Sequence, residues 1–326
     1  MQQPSPTHFA NHLHSTAFTL PRTLPASACI GVFAPSGIVN LPRLDVAVAA
    51  LEMLGHRVII SPQIGAQWRY FAGTDEERLA GFHAMLANPD IDVMMMARGG
   101  YGWSRLLHRI DWDSVARSRK VFCGFSDFTA FSLAALAKAN LITCAGPGVA
   151  TDFGGAADDE DAQAGHHYTQ ALCWPVLRGE AVSTDAFACE HHYLPQTIAG
   201  PLWGSNLSML SHLVGTPYMP TLKGGILFIE EIAEQPYAIE RMLLQLFHAG
   251  ILQTQQALLF ADFTDCEPAP SRFAYTMAHV VETMRKLLPY PVLTGLPFGH
   301  AAKKLTIPFG ADASLVIKPN SYALTY

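Results

Sequence analysis

The sequence predicts an α/β protein, with a doubly wound, mostly parallel sheet in an N-terminal domain and a smaller C-terminal α/β domain. Three observations predict this class. Short, fully apolar runs alternate with helical patterns from residue 28 to residue 150. Such runs are typical of strands in a parallel sheet that helices cover on both faces. The chain has 326 residues, 50% of them hydrophobic, which is enough for about two domains.

The N-terminal domain, residues 28–150, holds the predicted parallel strands. These are Cys29–Phe33, Arg57–Ile60, Ile91–Ala97, Val121–Phe125 and Leu141–Ala145. Helical spacing of apolar residues follows the first strand, and Thr74 with Glu77 forms a capping box that predicts the start of the next helix. The segments APSG, RGGYG, SD and GPG follow strand ends. Because the crevice beyond the carboxyl ends of parallel strands binds ligands, they predict a site along that edge.

The remaining chain divides into three predicted parts. Residues 1–27 lack the basic and then apolar pattern of a signal peptide, and we expect a loosely ordered extension. Residues 151–195 are at first acidic and glycine-rich and then weakly amphipathic, which is typical of a linker. Residues 196–326 form the predicted C-terminal domain. Its predicted elements are a strand at Gly225–Ile229, a helix after Pro236, and strands at Leu258–Phe263 and Leu315–Ile317.

Composition excludes several classes of partner. A net charge of -6, a pI near 6.1 and the lack of a basic run argue against binding to nucleic acid or anionic lipid. Six cysteines lie far apart without CxxC spacing, which indicates reduced, buried thiols. No apolar run approaches the ~20 residues of a membrane span. We therefore expect a soluble, cytoplasmic protein.

Two histidine pairs are candidate metal ligands, His166 with His167 and His191 with His192. Neighbouring side chains on a helix or strand point apart, and no HExxH motif or Cys/His cluster accompanies either pair. We therefore predict no metal site, and no motif in the sequence calls for a cofactor.

Ser126, in the segment CGFSDFTAF, lies between an apolar run and a helical pattern. One interpretation is a helix cap, the commonest role of serine at such a position. The other is a nucleophile exposed at a sharp turn from strand to helix, close to backbone N–H groups that could stabilise an oxyanion. The local sequence alone leaves both open.

Two further residue types bear on that choice. Glu230 and Glu231 directly follow the apolar run Ile226–Ile229, and His300 lies in a Gly/Pro-rich loop. Each has an inert interpretation, as a solvated strand end or an exposed loop histidine. In chain order, however, serine, acid and histidine match the serine hydrolases built on parallel α/β sheets. There the imidazole accepts the hydroxyl proton and the carboxylate orients the imidazole.

Five ordered segments resemble the LD-carboxypeptidase family of serine peptidases, which includes muramoyl-tetrapeptide carboxypeptidase and the microcin C self-immunity hydrolases. They are ARGGYGWSRLL (97–107), CGFSDFTAF (123–131), GSNLSMLSHLVGTPYMP (204–220), GGILFIEEIAEQPYAIERMLLQL (224–246) and GLPFGHAAKKLTIPFG (295–310). The resemblance covers nearly everything from Ala28 to the end. Two positions depart from the pattern: Phe128 replaces the second glycine of G-x-S-x-G, and Ser205 stands where the family often has glycine.

The resemblance implies the roles of the site residues. Ser126 would be the nucleophile, His300 the general base and Glu230, rather than Glu231, the orienting acid. The backbone N–H groups of Asp127 and Gly100 would form the oxyanion hole. Substrate contacts would involve Asn206. Apart from the resemblance, Arg98 is the one charged residue at a strand end beside the glycines. Its fork suits a substrate carboxylate but equally suits a structural ion pair. The site would lie between the two domains of the chain, and the protein would be a homodimer.

The resemblance also implies the reaction, which is removal of the terminal D-alanine from murein tetrapeptide by cleavage of an LD bond during peptidoglycan recycling. Within the family, the alternative is hydrolysis of toxic peptidyl or aminoacyl nucleotides. A third hypothesis is a non-enzymatic α/β protein that binds a sugar or nucleotide in its glycine-lined crevice. Such a binding protein would not need serine, glutamate and histidine together.

Overall fold

The computed structural model describes residues 17–154, 160–267 and 274–326. The described strands are, in chain order, β1 (Cys29–Phe33), β2 (Arg57–Ile60), β3 (Val93–Met96), β4 (Val121–Gly124), β5 (Thr143–Ala145), β6 (Phe187–Ala188), β7 (Gln196–Asn206), β8 (Ile226–Ile232), β9 (Ala257–Thr264), β10 (Val292–Thr294), β11 (Ile307–Phe309), β12 (Asp312–Lys318) and β13 (Ser321–Thr325). They form two sheets, as the predicted two-domain α/β class requires.

Helices cover both sheets. The described α-helices are α1 (Leu41–Met53), α2 (Asp75–Ala87), α3 (Trp103–Leu106), α4 (Trp112–Ser118), α5 (Phe128–Ala134), α6 (Val149–Asp152), α7 (Glu160–Leu177), α8 (Leu207–His212), α9 (Pro236–His248) and α10 (Met277–Leu287). The capping box predicted at the start of α2 is present, since Thr74 and Glu77 each accept a hydrogen bond from the other's backbone N–H.

The first sheet has the order β11-β5-β4-β3-β1-β2. Its strands β1 to β5 pair in parallel, which confirms the class predicted from the apolar runs. The sixth strand, β11, comes from the C-terminal part of the chain and pairs antiparallel with β5. Ile307 and Phe309 on β11 are fully buried, so this short strand covers an edge that would otherwise be open. The first sheet thus includes residues from outside the predicted N-terminal domain.

The second sheet has the order β10-β9-β8-β7-β12-β13-β6. Strands β7 to β10 pair in parallel, and β12, β13 and β6 add an antiparallel half. The long strand β7 was not predicted, because Gly200, Pro201 and Gly204 interrupt its apolar pattern. Gly204 has φ 138°, and a Cβ there would lie 1.8 Å from the carbonyl oxygen of Phe228. A glycine is therefore needed for β7 to approach β8.

The segment predicted as a linker, residues 151–195, contains the 18-residue helix α7. Gly165, Thr169 and Cys173 of α7 are buried. Small and polar residues on the buried face explain why the sequence showed only weak amphipathicity. The described end of the predicted extension is also ordered by backbone contacts: Thr19 bonds to Asn140 and Ile142. Residues 1–16 of that extension lie outside the described residues.

Two expectations from composition concern thiols and membranes. Each of the six cysteines is a buried free thiol, as predicted. Within the described ranges, no helix combines the length and the apolar character that crossing a bilayer requires.

An aromatic cluster includes residues of the segment CGFSDFTAF and of its neighbours. Phe82 on α2 contacts the rings of Phe33, Trp103, Phe122 and Phe131, with ring centroids 5.5 to 6.4 Å apart. All five side chains are fully buried. Trp103 begins the helix that follows RGGYG, so this cluster anchors one end of the glycine-rich segment.

We expect Phe82→Ala to lower the free energy of unfolding by about 3–5 kcal/mol, because truncating a fully buried aromatic residue leaves a cavity. Urea denaturation of wild type and variant measures this loss of stability. Leu194→Ala, at an exposed position shortly before β7, is the control and should change stability by no more than about 0.5 kcal/mol. Equal effects of the two substitutions would contradict the central place of the cluster in the core.

Candidate active site

Ser126 lies in the turn that joins β4 to α5. Its φ of 62° is in the left-handed region, which side chains other than glycine rarely adopt. A Cβ on Gly99 would lie 2.8 Å from the Cβ of Ser126, so the RGGYG segment passes directly over the serine and needs glycine there. The Oγ of Ser126 contacts His300 Nε2 at 3.1 Å. The hydroxyl therefore points to the histidine, and the residue at the cap position of α5 is Asp127 rather than Ser126.

His300 links the two sheets. Its Nδ1 lies 2.9 Å from Glu230 Oε2 on β8, while its Nε2 faces Ser126 on the first sheet. Glu230 is fully buried, and the imidazole is 15% exposed. Gly299, with φ 148°, packs on Asp262 and allows the chain to turn the ring into the cleft. Three residues that are far apart in sequence thus form one line of contacts.

The two neighbouring glutamates have different partners. Strand β8 continues to Ile232, beyond its predicted end at Ile229, so both carboxylates belong to the strand. Its pairing with β9 shifts register between Ile229 and Glu231, as in a β-bulge. Glu231 accepts hydrogen bonds from Asn206 Nδ2 and from the N–H groups of Ser208 and Ile232. Burial raises the pKa of Glu231. Of the two, Glu230 is the one that contacts His300.

Asp127, predicted only for its backbone N–H, has a buried side chain with partners of its own. Its Oδ2 accepts hydrogen bonds from Ser36 Oγ at 2.6 Å and from Trp103 N–H at 3.3 Å. Burial raises the pKa of Asp127 to about 6, against the opposing effect of these hydrogen bonds and of the charge on Arg78. The carboxylate therefore joins three segments at the carboxyl edge of the first sheet. Sequence reasoning missed this role, although SD and APSG were both placed at that edge.

A cavity of about 640 Å³ opens beside these residues. Ser126, His300 and Gly100 line it, together with Arg98 and Arg43, and the lining includes no carboxylate. The φ of Gly100 is 128°, a conformation that favours glycine. A second cavity of about 680 Å³, around Cys189 and Arg285, contains none of the predicted site residues. We therefore take the first cavity as the candidate site.

The two predicted substrate contacts differ in position. Arg98 lines the cavity, where its Nε donates to Gly99 O and its Nη1 to Ile38 O, both at 3.1 Å. It is thus braced by backbone carbonyls rather than by a carboxylate. Asn206 does not line the cavity. Its Oδ1 caps α8 by accepting from Met209 N–H, and its Nδ2 donates to Glu231, so the structure gives it a supporting position. Ser205, before it, has a φ of 83°.

The histidine pairs make other contacts. His166 Nδ1 lies 3.8 Å from Asp152, and His191 Nδ1 accepts from Tyr193 N–H. Across residues 17–154, 160–267 and 274–326, no group of three or more His, Cys, Asp or Glu side chains could hold a metal ion.

The fold and the cleft define a class. The protein is a two-sheet α/β protein with a serine at the end of a parallel strand of the first sheet, a glutamate on the second sheet and a histidine in the loop between β10 and β11. The chain belongs to the LD-carboxypeptidase family. Residues 30–146 match the LD-carboxypeptidase N-terminal domain, and residues 199–315 match the LD-carboxypeptidase C-terminal domain.

Three known proteins illustrate the relationship. A probable murein peptide carboxypeptidase of Bacillus subtilis is 33% identical over 90% of this chain and 91% of its own. The crystal structure of muramoyltetrapeptide carboxypeptidase from Oxalobacter formigenes superposes with a TM-score of 0.82 and 35% identity, covering 91% of this chain and 98% of that one. A microcin C7 self-immunity protein of Escherichia coli is 26% identical over 91% of this chain and 92% of its own.

The raised pKa of Asp127 predicts a pH-dependent stability. Because the folded state binds this proton more tightly than the unfolded state, whose pKa is 3.8, the contribution is complete below pH ~3.8 and is lost as pH rises through about 6. Asp127→Asn, which keeps an acceptor for Ser36, should therefore gain stability relative to wild type between pH 4 and pH 8. The expected gain is at most roughly 3 kcal/mol.

Urea denaturation of both proteins across that pH range tests this expectation. Other titrating groups, including Asp262, are present in both proteins and cancel in the difference. A difference in stability that does not change with pH would show that Asp127 keeps an ordinary pKa.

Proposed function

We propose that the protein is a serine carboxypeptidase that removes the terminal D-alanine from murein tetrapeptide by hydrolysing the bond between an L centre and a D residue. The observation that carries the proposal is the line of contacts from Glu230 through His300 to Ser126, beside a cavity. Membership of the LD-carboxypeptidase family and the names of the relatives from Bacillus and Oxalobacter support the substrate class.

The proposed reaction begins when Ser126 Oγ attacks the carbonyl carbon of the LD bond and His300 Nε2 accepts the hydroxyl proton. Glu230 accepts a hydrogen bond from His300 Nδ1, which fixes the tautomer and stabilises the imidazolium. The N–H groups of Asp127 and Gly100 donate to the oxyanion. His300 then gives the proton to the nitrogen of the departing D-alanine. A water molecule, activated by the same imidazole, hydrolyses the acyl-enzyme and restores Ser126.

Selection of a terminal residue requires recognition of a free carboxylate. Arg98 and Arg43 line the cavity, and the lining has no acidic side chain. A guanidinium fork matches a carboxylate in shape and charge. The contacts of Arg98 with Gly99 O and Ile38 O hold it beside the serine. We propose that Arg98 receives the substrate carboxylate.

The cellular setting is part of the proposal. Buried free thiols are typical of a reducing compartment, so we propose a cytoplasmic enzyme of peptidoglycan recycling. We also propose a homodimer. Exposed apolar side chains on and directly after α1, those of Val46, Met53 and Leu54, offer surface that a second copy could cover.

The first test is release of D-alanine from disaccharide-free tetrapeptide by the purified protein. Ser126→Ala should keep the fold and lower kcat by roughly a thousandfold or more, because the attacking oxygen is lost. Ser104→Ala, outside the cavity lining, is the matched control and should keep wild-type turnover. Activity of the wild type should be unchanged in EDTA.

Three outcomes would contradict this scheme. Retained turnover in Ser126→Ala would remove the nucleophile. Loss in EDTA that zinc restores would favour a metal mechanism. Hydrolysis of a peptidyl nucleotide, with no release of D-alanine from tetrapeptide, would move the protein to the other branch of the family.

The second test compares the two glutamates. Glu230→Gln should lower kcat by up to about 10⁴-fold, because an amide can hold the imidazole in the wrong tautomer. Glu231→Gln loses part of the support for Asn206 and Ser208. Its main effect should therefore be a lower thermal midpoint of unfolding, and its fall in kcat should be smaller than that of Glu230→Gln. Steady-state kinetics and thermal denaturation of both variants separate these effects. A larger fall in kcat for Glu231→Gln would reverse the assignment.

A further inference from the structure

A buried ion pair connects the His300 loop to the first sheet. Lys304 Nζ lies 2.8 Å from Asp152 Oδ1, and the two side chains are only 3% and 2% exposed. Asp152 belongs to α6, which follows the GPG segment after β5. Its Oδ2 accepts hydrogen bonds from Gly148 N–H and Thr151 Oγ1. The Asp152 carboxylate is therefore held in place by hydrogen bonds that are independent of Lys304.

The ammonium group of Lys304 is one aromatic ring away from the proposed catalytic residues. Its Nζ lies 4.1 Å from the centre of the Phe125 ring. The Phe125 ring also contacts the His300 ring, with centroids 5.1 Å apart at 60°. Phe125 directly precedes Ser126 in the chain. Lys304 thus contacts Phe125, whose ring contacts His300 and which precedes Ser126 in the chain.

Helix α7 holds the same loop from another side. Thr169 Oγ1 donates to Ala302 O at 2.7 Å and accepts from Lys304 N–H at 2.9 Å. A Cβ on Gly165 would lie 2.9 Å from Lys303 N, so a glycine lets α7 approach the loop this closely. The chain after His300 is therefore bound at three successive residues, 302 to 304.

A buried ion pair is weak evidence of stability, because desolvation of both charges offsets their attraction. A pair can instead specify one arrangement of the groups that it joins. Such specification is needed here, since Ser126 follows β4 of the first sheet, whereas His300 lies in the loop that leads from β10 of the second sheet to β11 of the first. A misplacement of ~1 Å between reacting groups can lower a rate about a hundredfold.

We infer that Lys304, Asp152 and Thr169 are positioning residues that dock the His300 loop on the first sheet and set the distance from His300 to Ser126. This inference rests on the proposed function in one respect, the assignment of His300 as general base. The pair acts through Phe125 and the loop backbone and touches no substrate.

The experiment compares Lys304→Met, Asp152→Asn and the double variant Lys304→Met/Asp152→Asn. Lys318→Met is the matched control, because Lys318 is exposed at the end of β12, outside both the His300 loop and α7. Each single variant leaves one buried charge without its partner, so both should lose stability and turnover. In the double variant neither charge remains. Its thermal midpoint should therefore return to within ~4 °C of wild type.

Turnover in the double variant distinguishes positioning from stability. If the pair positions His300, kcat should stay at least ~10-fold below wild type, while KM changes by less than ~3-fold. A second readout is the proton resonance of the imidazole N–H shared with Glu230, assigned by its loss in His300→Ala. This resonance should broaden or shift in the double variant and stay unchanged in Lys318→Met.

Recovery of kcat together with the thermal midpoint in the double variant, with an unchanged resonance, would overturn the inference. The same result would leave the proposed function intact. Conversely, a wild type that releases no D-alanine but whose imidazole resonance depends on the pair would refute the proposed substrate alone. An undetectable resonance in wild type, with unchanged kcat in all three variants, would refute the positioning role.

Discussion

The contact between His300 and Ser126 is the constraint on which the rest of the architecture depends. A hydrogen bond of 3.1 Å joins two side chains that are 174 residues apart in sequence. Ser126 follows a strand of the first sheet, and His300 is held by Glu230 of the second sheet. Each sheet must therefore present its residue with little freedom. The first does so with a strained turn under the glycines of RGGYG, and the second with a buried carboxylate on a bulged strand. In the proposed reaction neither device acts without the other, because the proton would pass from Ser126 to His300.

Much of the first sheet could be predicted, because its strands are short apolar runs bounded by glycine, proline and caps. That pattern alone predicts Ser126, Gly100 and Arg98 at one edge of the sheet. The acid was harder to predict. Glu230 and Glu231 differ in partner because β8 shifts register against β9, and a bulge depends on the neighbouring strand rather than on the local sequence. Only the resemblance to a family favoured the first glutamate.

Other features were inaccessible to sequence reasoning for different physical reasons. Helix α7 buries glycine and threonine instead of a leucine stripe, so its periodicity is faint. The pair between Lys304 and Asp152 spans 152 positions, and nothing local marks either residue as buried. For Asn206 the resemblance implies a substrate contact, whereas its contacts in the structure are a cap on α8 and a hydrogen bond to Glu231.

Strand β11 has a topological consequence. The chain leaves the second sheet at β10, passes through His300 and Lys304, adds β11 to the first sheet, and then returns to the second as β12. The chain therefore crosses between the two sheets twice, once through the His300 loop and once between β11 and β12. Hinge opening of the kind seen in two-lobed binding proteins would have to tear β11 from β5. A substrate must then reach Ser126 through a cleft whose two sides keep nearly the same separation. Only the side chains that line the cleft can move to admit it. Because β11 completes the first sheet, the predicted N-terminal domain is not a self-sufficient folding unit. A fragment ending before Ile307 would expose the edge of β5 to pairing with other chains.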